Sequence, residues 1–201
     1  MVIYYTHGYG NKAGESHRLL QRAIAKYLSE AGCGEDAAES ESAALVQRLA
    51  TAGEHGKPVI PGFAPFSISH SNSTWAVLIA EPDEKTGSCG LDIQYRRKTG
   101  AESVSRRFFA AEDAELVSDA AGNCGQGAAE TAFFRLWTRR EALVKAAGAS
   151  VAGTDIPSVS GDEVLYAGSG YSIADVSIPG AELYAAVCTA GAMMPLRIAE
   201  L

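Results

Sequence analysis

The chain has 201 residues, a net charge of −7 and an isoelectric point near 5.1, a balance that argues against broad nucleic-acid binding, which needs a basic footprint. Hydrophobic residues make up 47% and mean hydropathy is −0.01, which excludes a disordered chain and suits one compact domain or two small subdomains sharing a core. No apolar run approaches the roughly 18 residues of a membrane-spanning helix. Cys33, Cys89, Cys124 and Cys188 are scattered without a CxxC pair, as free thiols in a reducing compartment would be. The opening MVIYYTHGYGNK is too polar for a signal peptide, so a cytoplasmic protein that binds neither membrane nor nucleic acid is expected.

Val2 to Thr6, rich in β-branched and aromatic residues, predicts a strand, followed by a glycine-rich loop over His7 to Gly14. Leu19, Leu20, Ala23, Ile24, Tyr27 and Leu28 recur at helical spacing, predicting a helix from Ser16 to Ala31, with Ser16 as its cap and Gly32 to Gly34 ending it. Glu35 to Ser42 reads as an acidic link and Ala43 to Thr51 as a second short helix. Breakers at Gly56, Pro58, Pro61, Gly62 and Pro65 predict a surface loop carrying Lys57. In Phe66 to Ala80, FSISHSNSTWAVLIA, two strands flank a turn at Ser71 to Ser73. Phe66, Ile68 and His70 share one face of the first strand; Ser67, Ser69 and Ser71 share the other.

Glu81 to Ser88 forms a charged turn, and Cys89 to Ile93 a strand with Asp92 set between Leu91 and Ile93. Gln94 to Lys98 leads out as a basic run. Helices are expected at Glu102 to Phe109 and Ala111 to Ala120, then a flexible loop at Gly122 to Gly127. Strand composition returns at Val164 to Tyr166, Tyr171 to Val176, Glu182 to Thr189 and Leu196 to Leu201. The order of elements suggests an α+β protein of two α+β halves meeting near Glu81 to Cys89, with no repeat between them at the sequence level.

Phe133 to Lys145, FFRLWTRREALVK, is the most informative stretch. Residues 133, 137 and 144 fall near one helical line that Leu136 and Leu143 widen, yet Arg140 sits near the centre of that stripe and Glu141 on its edge. A buried carboxylate costs several kcal/mol unless a cation or hydrogen bonds meet it, so Glu141 calls for a metal, a lysine or a ligand. The plainer reading is an exposed i,i+4 pair of Glu141 with Lys145, worth a few tenths of a kcal/mol. Asp92, an acid inside an apolar strand, is the second anomaly, with backbone amides as its ordinary partners. Taken alone, His70 is an ordinary half-buried histidine and Trp137 a core residue. Cys89 packs, and His7, His17 and His55 are surface residues without ligand spacing.

Three segments, FSISHS (66–71), GLDIQ (90–94) and WTRREALVK (137–145), resemble in order and spacing the motifs of 4′-phosphopantetheinyl transferases of the surfactin-synthetase type. That family shows an FNxSHS-like strand, a G-[VI]-D-[IVL]-E strand and a W-[TS]-x-K-E-[AS]-x-x-K helix. Here Trp137, Thr138, Glu141, Ala142 and Lys145 match, with Arg140 at the usual lysine. GKP at Gly56 to Pro58 and RRFF…E at Arg106 to Glu112 also occur in order, so the resemblance covers roughly residues 45 to 150.

The resemblance implies a fold of two similar halves, each an antiparallel sheet packed with a long helix, related by pseudo-twofold symmetry and divided as 1–88 and 89–201. The first half would carry the coenzyme A-phosphate strand and loop, the second the metal strand and catalytic helix. It implies transfer of the phosphopantetheine arm of coenzyme A to a serine of an apo acyl or peptidyl carrier protein, with Mg²⁺, leaving 3′,5′-ADP, by a monomeric enzyme. Asp92 and Glu141 would hold the ion, with Gln94 standing where many relatives have a third acid. Glu141 or a water on the metal would take the serine proton, and Lys145 would neutralise or protonate the leaving α-phosphate oxygen. His70 and Ser69 would contact coenzyme A phosphates, Lys57 and Phe66 would line the adenosine 3′-phosphate end, and Arg140 would pair an acid or a phosphate. Arg18 and Arg48 are further candidates for coenzyme A contacts. Arg96, Arg97, Lys98, Arg106 and Arg107 form either a solvated face or a docking patch for an acidic carrier helix. Two alternatives stand beside the transferase: a degenerate homologue that binds coenzyme A or a carrier without catalysis, and a phosphoesterase using Asp92 and Glu141, against which the lack of a His- or Asp-rich cluster speaks.

Overall fold

The computed structural model describes residues 1–52, 56–81, 88–150 and 155–201. The N-terminal part runs β1 (Val2–His7), α1 (Glu15–Glu30), α2 (Glu35–Gln47), β2 (Ala50–Ala52), β3 (Lys57–Val59), β4 (Phe66–Ser71) and β5 (Thr74–Ile79). Then follow β6 (Cys89–Tyr95), α3 (Ala101–Phe108), α4 (Ala111–Cys124), α5 (Gln126–Ala147), β7 (Glu163–Tyr166), β8 (Ser169–Asp175), β9 (Leu183–Ala190) and β10 (Arg197–Glu200). His55, 82–87 of the charged turn, and hence most of the expected junction between halves, lie outside the described residues.

The protein is α+β. One four-stranded sheet has the order β10-β1-β5-β4 and another the order β6-β9-β8-β7, and β2 and β3 form a two-stranded ribbon. The second sheet is antiparallel throughout. The first is mixed, because β10 returns from the end of the chain to pair in parallel with β1, Val2 facing Arg197 in register. The expectation of an antiparallel sheet in that half is corrected here: a strand arriving from the other end of the chain is not bound to hairpin polarity.

Strand alternation sorts the core into layers. Val2 and Tyr4 of β1, with Trp75, Val77 and Ile79 of β5, pack under Leu19, Leu20, Ala23 and Ile24 of α1. Ile3 and Tyr5, with Ala76 and Leu78, face the other way onto Leu91 and Ile93 of β6 and Ala185 and Val187 of β9. On the far side of that sheet, Ala186 and Cys188 meet Phe133, Phe134, Leu136, Leu143 and Val144 of α5. Asp92, alternating with Leu91 and Ile93, therefore points from β6 toward α5.

Between the sheets, β4 and β6 run side by side without sharing a backbone ladder. Ser67, Ser69 and Ser71 instead accept the amides of Leu91, Ile93 and Tyr95 through their Oγ atoms, at 3.0, 3.2 and 3.0 Å. The Cys89 and Leu91 carbonyls are met by the ammonium groups of Lys57 (3.0 Å) and Lys145 (2.9 Å). Side chains thus do for this edge of β6 what a neighbouring backbone would otherwise do.

Several local expectations change. Ser16 is not the cap of α1: Gly14 in the left-handed conformation precedes that helix, and Ser16 Oγ accepts the Trp75 indole N–H at 2.9 Å. The acidic link is helix α2, whose Ala38, Ser42 and Leu45 are buried, so tertiary packing overrides a weakly amphipathic sequence. Thr51 is in β2, paired with Pro58 in the loop expected to be irregular. The glycine loop at 122–127 is helical except at Gly125, where α4 gives way to α5. The turn between β4 and β5 lies where expected, with Asn72 at φ 47°. His7 is half-buried rather than a surface residue, its ring bonded to Thr74 Oγ1 and the Pro179 carbonyl, both at 3.0 Å.

Candidate active site

Helix α5 is buried on nearly every side in its second half, from Thr138 to Val144, because its own sheet covers one side and α4 with the segment around Ile156 and Val159 covers another. Its close approach to β6 depends on Gly90: a Cβ there would stand 1.9 Å from the Ala142 carbonyl oxygen and 2.7 Å from the Ala146 nitrogen. No other residue tolerates that contact, so the glycine two positions before Asp92 sets how near the strand acid comes to the helix.

Asp92 is 3% exposed and Glu141 8%. The exposed-pair reading of Glu141 and Lys145 is overturned: Glu141 is buried, and the ion pair of Lys145 runs to Asp92 Oδ1 at 2.8 Å. The Lys145 ammonium also donates to Ser69 Oγ at 3.2 Å, and the Ser69 hydroxyl donates to Asp92 Oδ1 at 2.9 Å. The second carboxylate oxygen of Asp92 accepts the Gln94 amide at 3.2 Å.

Burial, with the Asp92 charge next, pushes the Glu141 carboxyl up to about 7, and the Lys145 and Arg140 charges pull the other way. Two acids from β6 and α5 therefore repel each other across a partly dry gap. Among the described residues no group of three or more His, Cys, Asp or Glu could hold a metal ion. The pair still fits a small hard cation, which commonly takes one or two carboxylates and completes its shell with phosphate oxygens and water.

Beside the acids opens a cavity of about 520 Å³, lined among others by Lys57, Pro58, Phe66, Ile68, Glu141 and Lys145. A second, of about 450 Å³, shares Lys57, Pro58, Phe66 and Gly148 with it. Burial lowers the Lys57 pKa, and the group bonds the Ala146 carbonyl at 3.5 Å besides that of Cys89. Lys57 thus ties the end of α5 to β6 while facing both cavities. Arg140 is buried beside Glu141 and Tyr166, its pKa lowered by burial. His70 is exposed at the end of the Phe66–Ile68 face, its ring 5.1 Å from that of Tyr9.

The structure thus brings together Ser69, Asp92, Gln94, Glu141 and Lys145, with Lys57 and Phe66 on the adjoining wall, and sets His70 on the opposite face of β4 from Ser69. Cys89 is inert, its thiol pushed up to about 11 by burial. Arg139, which the sequence reading passed over, is wholly buried and bonds the Val159 carbonyl (2.6 Å) and Asp162 (3.0 Å), holding the segment after α5 in place. Its only sequence signal is a second arginine inside an apolar helix.

A family model for the 4′-phosphopantetheinyl transferase superfamily matches residues 88–164, the stretch that holds β6 and α5 with Asp92, Glu141 and Lys145. The similarity to that superfamily is thus carried by residues 88–164. The chain is also 34% identical over 100 residues to a 4′-phosphopantetheinyl transferase AcpT of Salmonella typhimurium, across 49% of this chain and 48% of that one. Over 103 residues it is 33% identical to the 4′-phosphopantetheinyl transferase HetI of Nostoc sp., across 48% of this chain and 40% of that one. An AcpT of Escherichia coli K12 is 34% identical over 100 residues, with 48% of its length matched. The chain spans about half the length of the curated relatives it matches. Outside the superfamily segment, the site borrows its remaining walls from β3 and β4. No helix among the described residues is long and apolar enough to cross a membrane.

Proposed function

We propose that this chain transfers the 4′-phosphopantetheine arm of coenzyme A to a serine hydroxyl of an apo acyl or peptidyl carrier protein, releasing 3′,5′-ADP. The observation that carries the reading is the pair of buried acids, Asp92 and Glu141, meeting beside Lys145 at a cavity roomy enough for a phosphate-bearing ligand. Mg²⁺ held by Asp92 and Glu141 would supply positive charge to the diphosphate under attack. Glu141, kept ionised by the ion it would hold, is placed to accept the serine proton. The serine oxygen forms its bond to the β-phosphorus, the β-phosphorus–oxygen bond to the α-phosphate breaks, and the Lys145 ammonium lies near enough to Asp92 to face that departing oxygen. Lys57 and Phe66 line the wall assigned to the adenosine end. Arg140 steadies the charge of Glu141, and His70 serves the phosphates from the outer face of β4.

In this reading the chain acts as a cytoplasmic monomer of two halves that divide near residue 88, with β10 returning to the first, and with the ion between them. A pseudo-twofold relation between the halves belongs to the same proposal, and the surfactin-synthetase type is the subfamily we assign. Arg97 and Lys98, exposed beyond β6, and Arg107 over the Phe108 ring, present positive charge to an acidic carrier surface, whereas Arg96 and Arg106 pair with Glu130 and Glu102.

The test incubates the protein with coenzyme A, Mg²⁺ and several apo carrier proteins and reads a mass gain of about 340 Da, the mass of the transferred arm. Asp92→Ala and Glu141→Ala should abolish it and keep the fold; near-normal rates in either would remove the metal assignment. Gln94, an amide that donates to Asp92 where many relatives have a third acid, favours a second reading, a non-catalytic binder of coenzyme A or carrier. Calorimetric coenzyme A binding without turnover on any carrier would select it.

A further inference from the structure

The three serines of the β4–β6 seam are equivalent in one respect and different in another. Each accepts one β6 amide, so each satisfies a buried backbone donor. Only Ser69 stands beside the acid. A hydroxyl has one proton and two lone pairs. Ser69 spends the proton on Asp92 Oδ1, and its lone pairs on the Ile93 amide and the Lys145 ammonium. Ser69, Asp92 and Lys145 therefore form a closed ring in which each group touches the other two, and the hydroxyl has no proton left for a phosphate.

We propose that Ser69 is a positioning residue: it fixes the Asp92 carboxylate and the Lys145 ammonium in one arrangement and does not itself bind coenzyme A, while Ser71 serves only the seam and Ser67 also lines the cavity. The physical reason is that a carboxylate on a strand turns about its side-chain torsions, and a bond from a buried neighbour itself anchored to the backbone through the Ile93 amide removes that freedom. Partners of this kind, one bond removed from a metal or a reacting group, typically carry 10–100-fold in affinity or activity. The inference rests on the transferase reading for its kinetic arm alone.

Ser69→Ala and Ser71→Ala each delete one amide acceptor, so Ser71→Ala is the internal control. We expect Ser69→Ala to lower kcat by roughly 10–100-fold while KM for coenzyme A stays within about twofold. Mn²⁺ affinity, measured by calorimetry without coenzyme A, should fall by a similar factor, and Ser69→Thr should restore most of both. Ser71→Ala should shift the thermal midpoint and leave kcat and Mn²⁺ affinity within about threefold. Should Ser69→Ala fail to fold, Ser69→Cys keeps the volume with a poor donor and is expected to show the same losses. A raised KM and Kd for coenzyme A, with kcat and Mn²⁺ affinity unchanged, would make the hydroxyl a direct ligand and overturn the proposal. Equal losses in Ser69→Ala and Ser71→Ala would reduce Ser69 to seam packing and overturn it too. A wild-type protein that modifies no carrier refutes the transferase reading, and the Mn²⁺ arm then decides alone. Unchanged Mn²⁺ affinity in Ser69→Ala, or no Mn²⁺ binding by the wild type, overturns the proposal, and a selective loss in Ser69→Ala supports it.

Discussion

Gly90→Ala is the sharpest test of how the acids are brought together. The new Cβ would sit 1.9 Å from the Ala142 oxygen, 2.7 Å from the Ala146 nitrogen and 2.9 Å from the Ala142 carbonyl carbon. All three atoms are helix backbone, so no rotamer change relieves the clash. Carbon atoms rest about 3.5 Å or more from such neighbours, so β6 and α5 must part by roughly 1.5 Å. Overpacking of this kind costs about 1–3 kcal/mol, and the rigid partner argues for the upper end. For a chain of this size that lowers the thermal midpoint by about 6–12 °C. The same displacement carries Glu141, adjacent to Ala142, away from Asp92, and a misplacement of about 1 Å can cost about 10²-fold in rate. Scanning calorimetry and carrier-modification kinetics measure the two effects. Because the clash is with backbone, adding Ala142→Gly should rescue neither. A Gly90→Ala protein with a midpoint within about 2 °C and a rate within about threefold of the wild type would refute the claim that this close approach sets the site.

Glu141 should make the metal-free protein less stable as pH rises. Its folded carboxyl is raised to about 7 from 4.5, so the folded state holds the proton through a window where the unfolded state has lost it. Stability therefore falls between about pH 4.5 and 7 and is level above, by an amount on the order of 3 kcal/mol. Urea titrations in chelator should show this slope, Glu141→Gln should flatten it, and an identical slope in both would reject the assignment. Added Mg²⁺ should stabilise more at pH 8 than at pH 6, since the ion takes the ionised acid. Lys57→Met should strip the Cys89 and Ala146 carbonyls of their partner and cost about 1–3 kcal/mol in urea unfolding, with weaker coenzyme A binding by calorimetry. Loss of neither would mean that Lys57 is a bystander. Arg139→Met should cost about 2–4 kcal/mol by the same unfolding measurement, through the buried Val159 carbonyl left without a donor, and a change below about 0.5 kcal/mol would refute that role.

The sequence by itself determined the elements whose pattern is local. The alternation in FSISHS and the apolar run after it gave β4 and β5, the period of Leu19 to Leu28 gave α1, and the charged intrusions at Asp92 and Glu141 marked the site. The first turns of helix α2 and the β2–β3 ribbon were not legible, because neither holds a strong period and both depend on neighbours supplied by the fold. Only the tertiary structure decided that β10 joins β1 in parallel and that Lys145 pairs with Asp92 instead of with Glu141 one turn away. It also decided that three serine hydroxyls stand in for a strand. These are contacts between residues many positions apart in the chain, and periodicity reports which face a residue occupies but not what the fold brings against that face. Gly90 joins the two levels: the sequence displays a glycine, and only the packing of α5 on β6 makes the missing side chain a requirement.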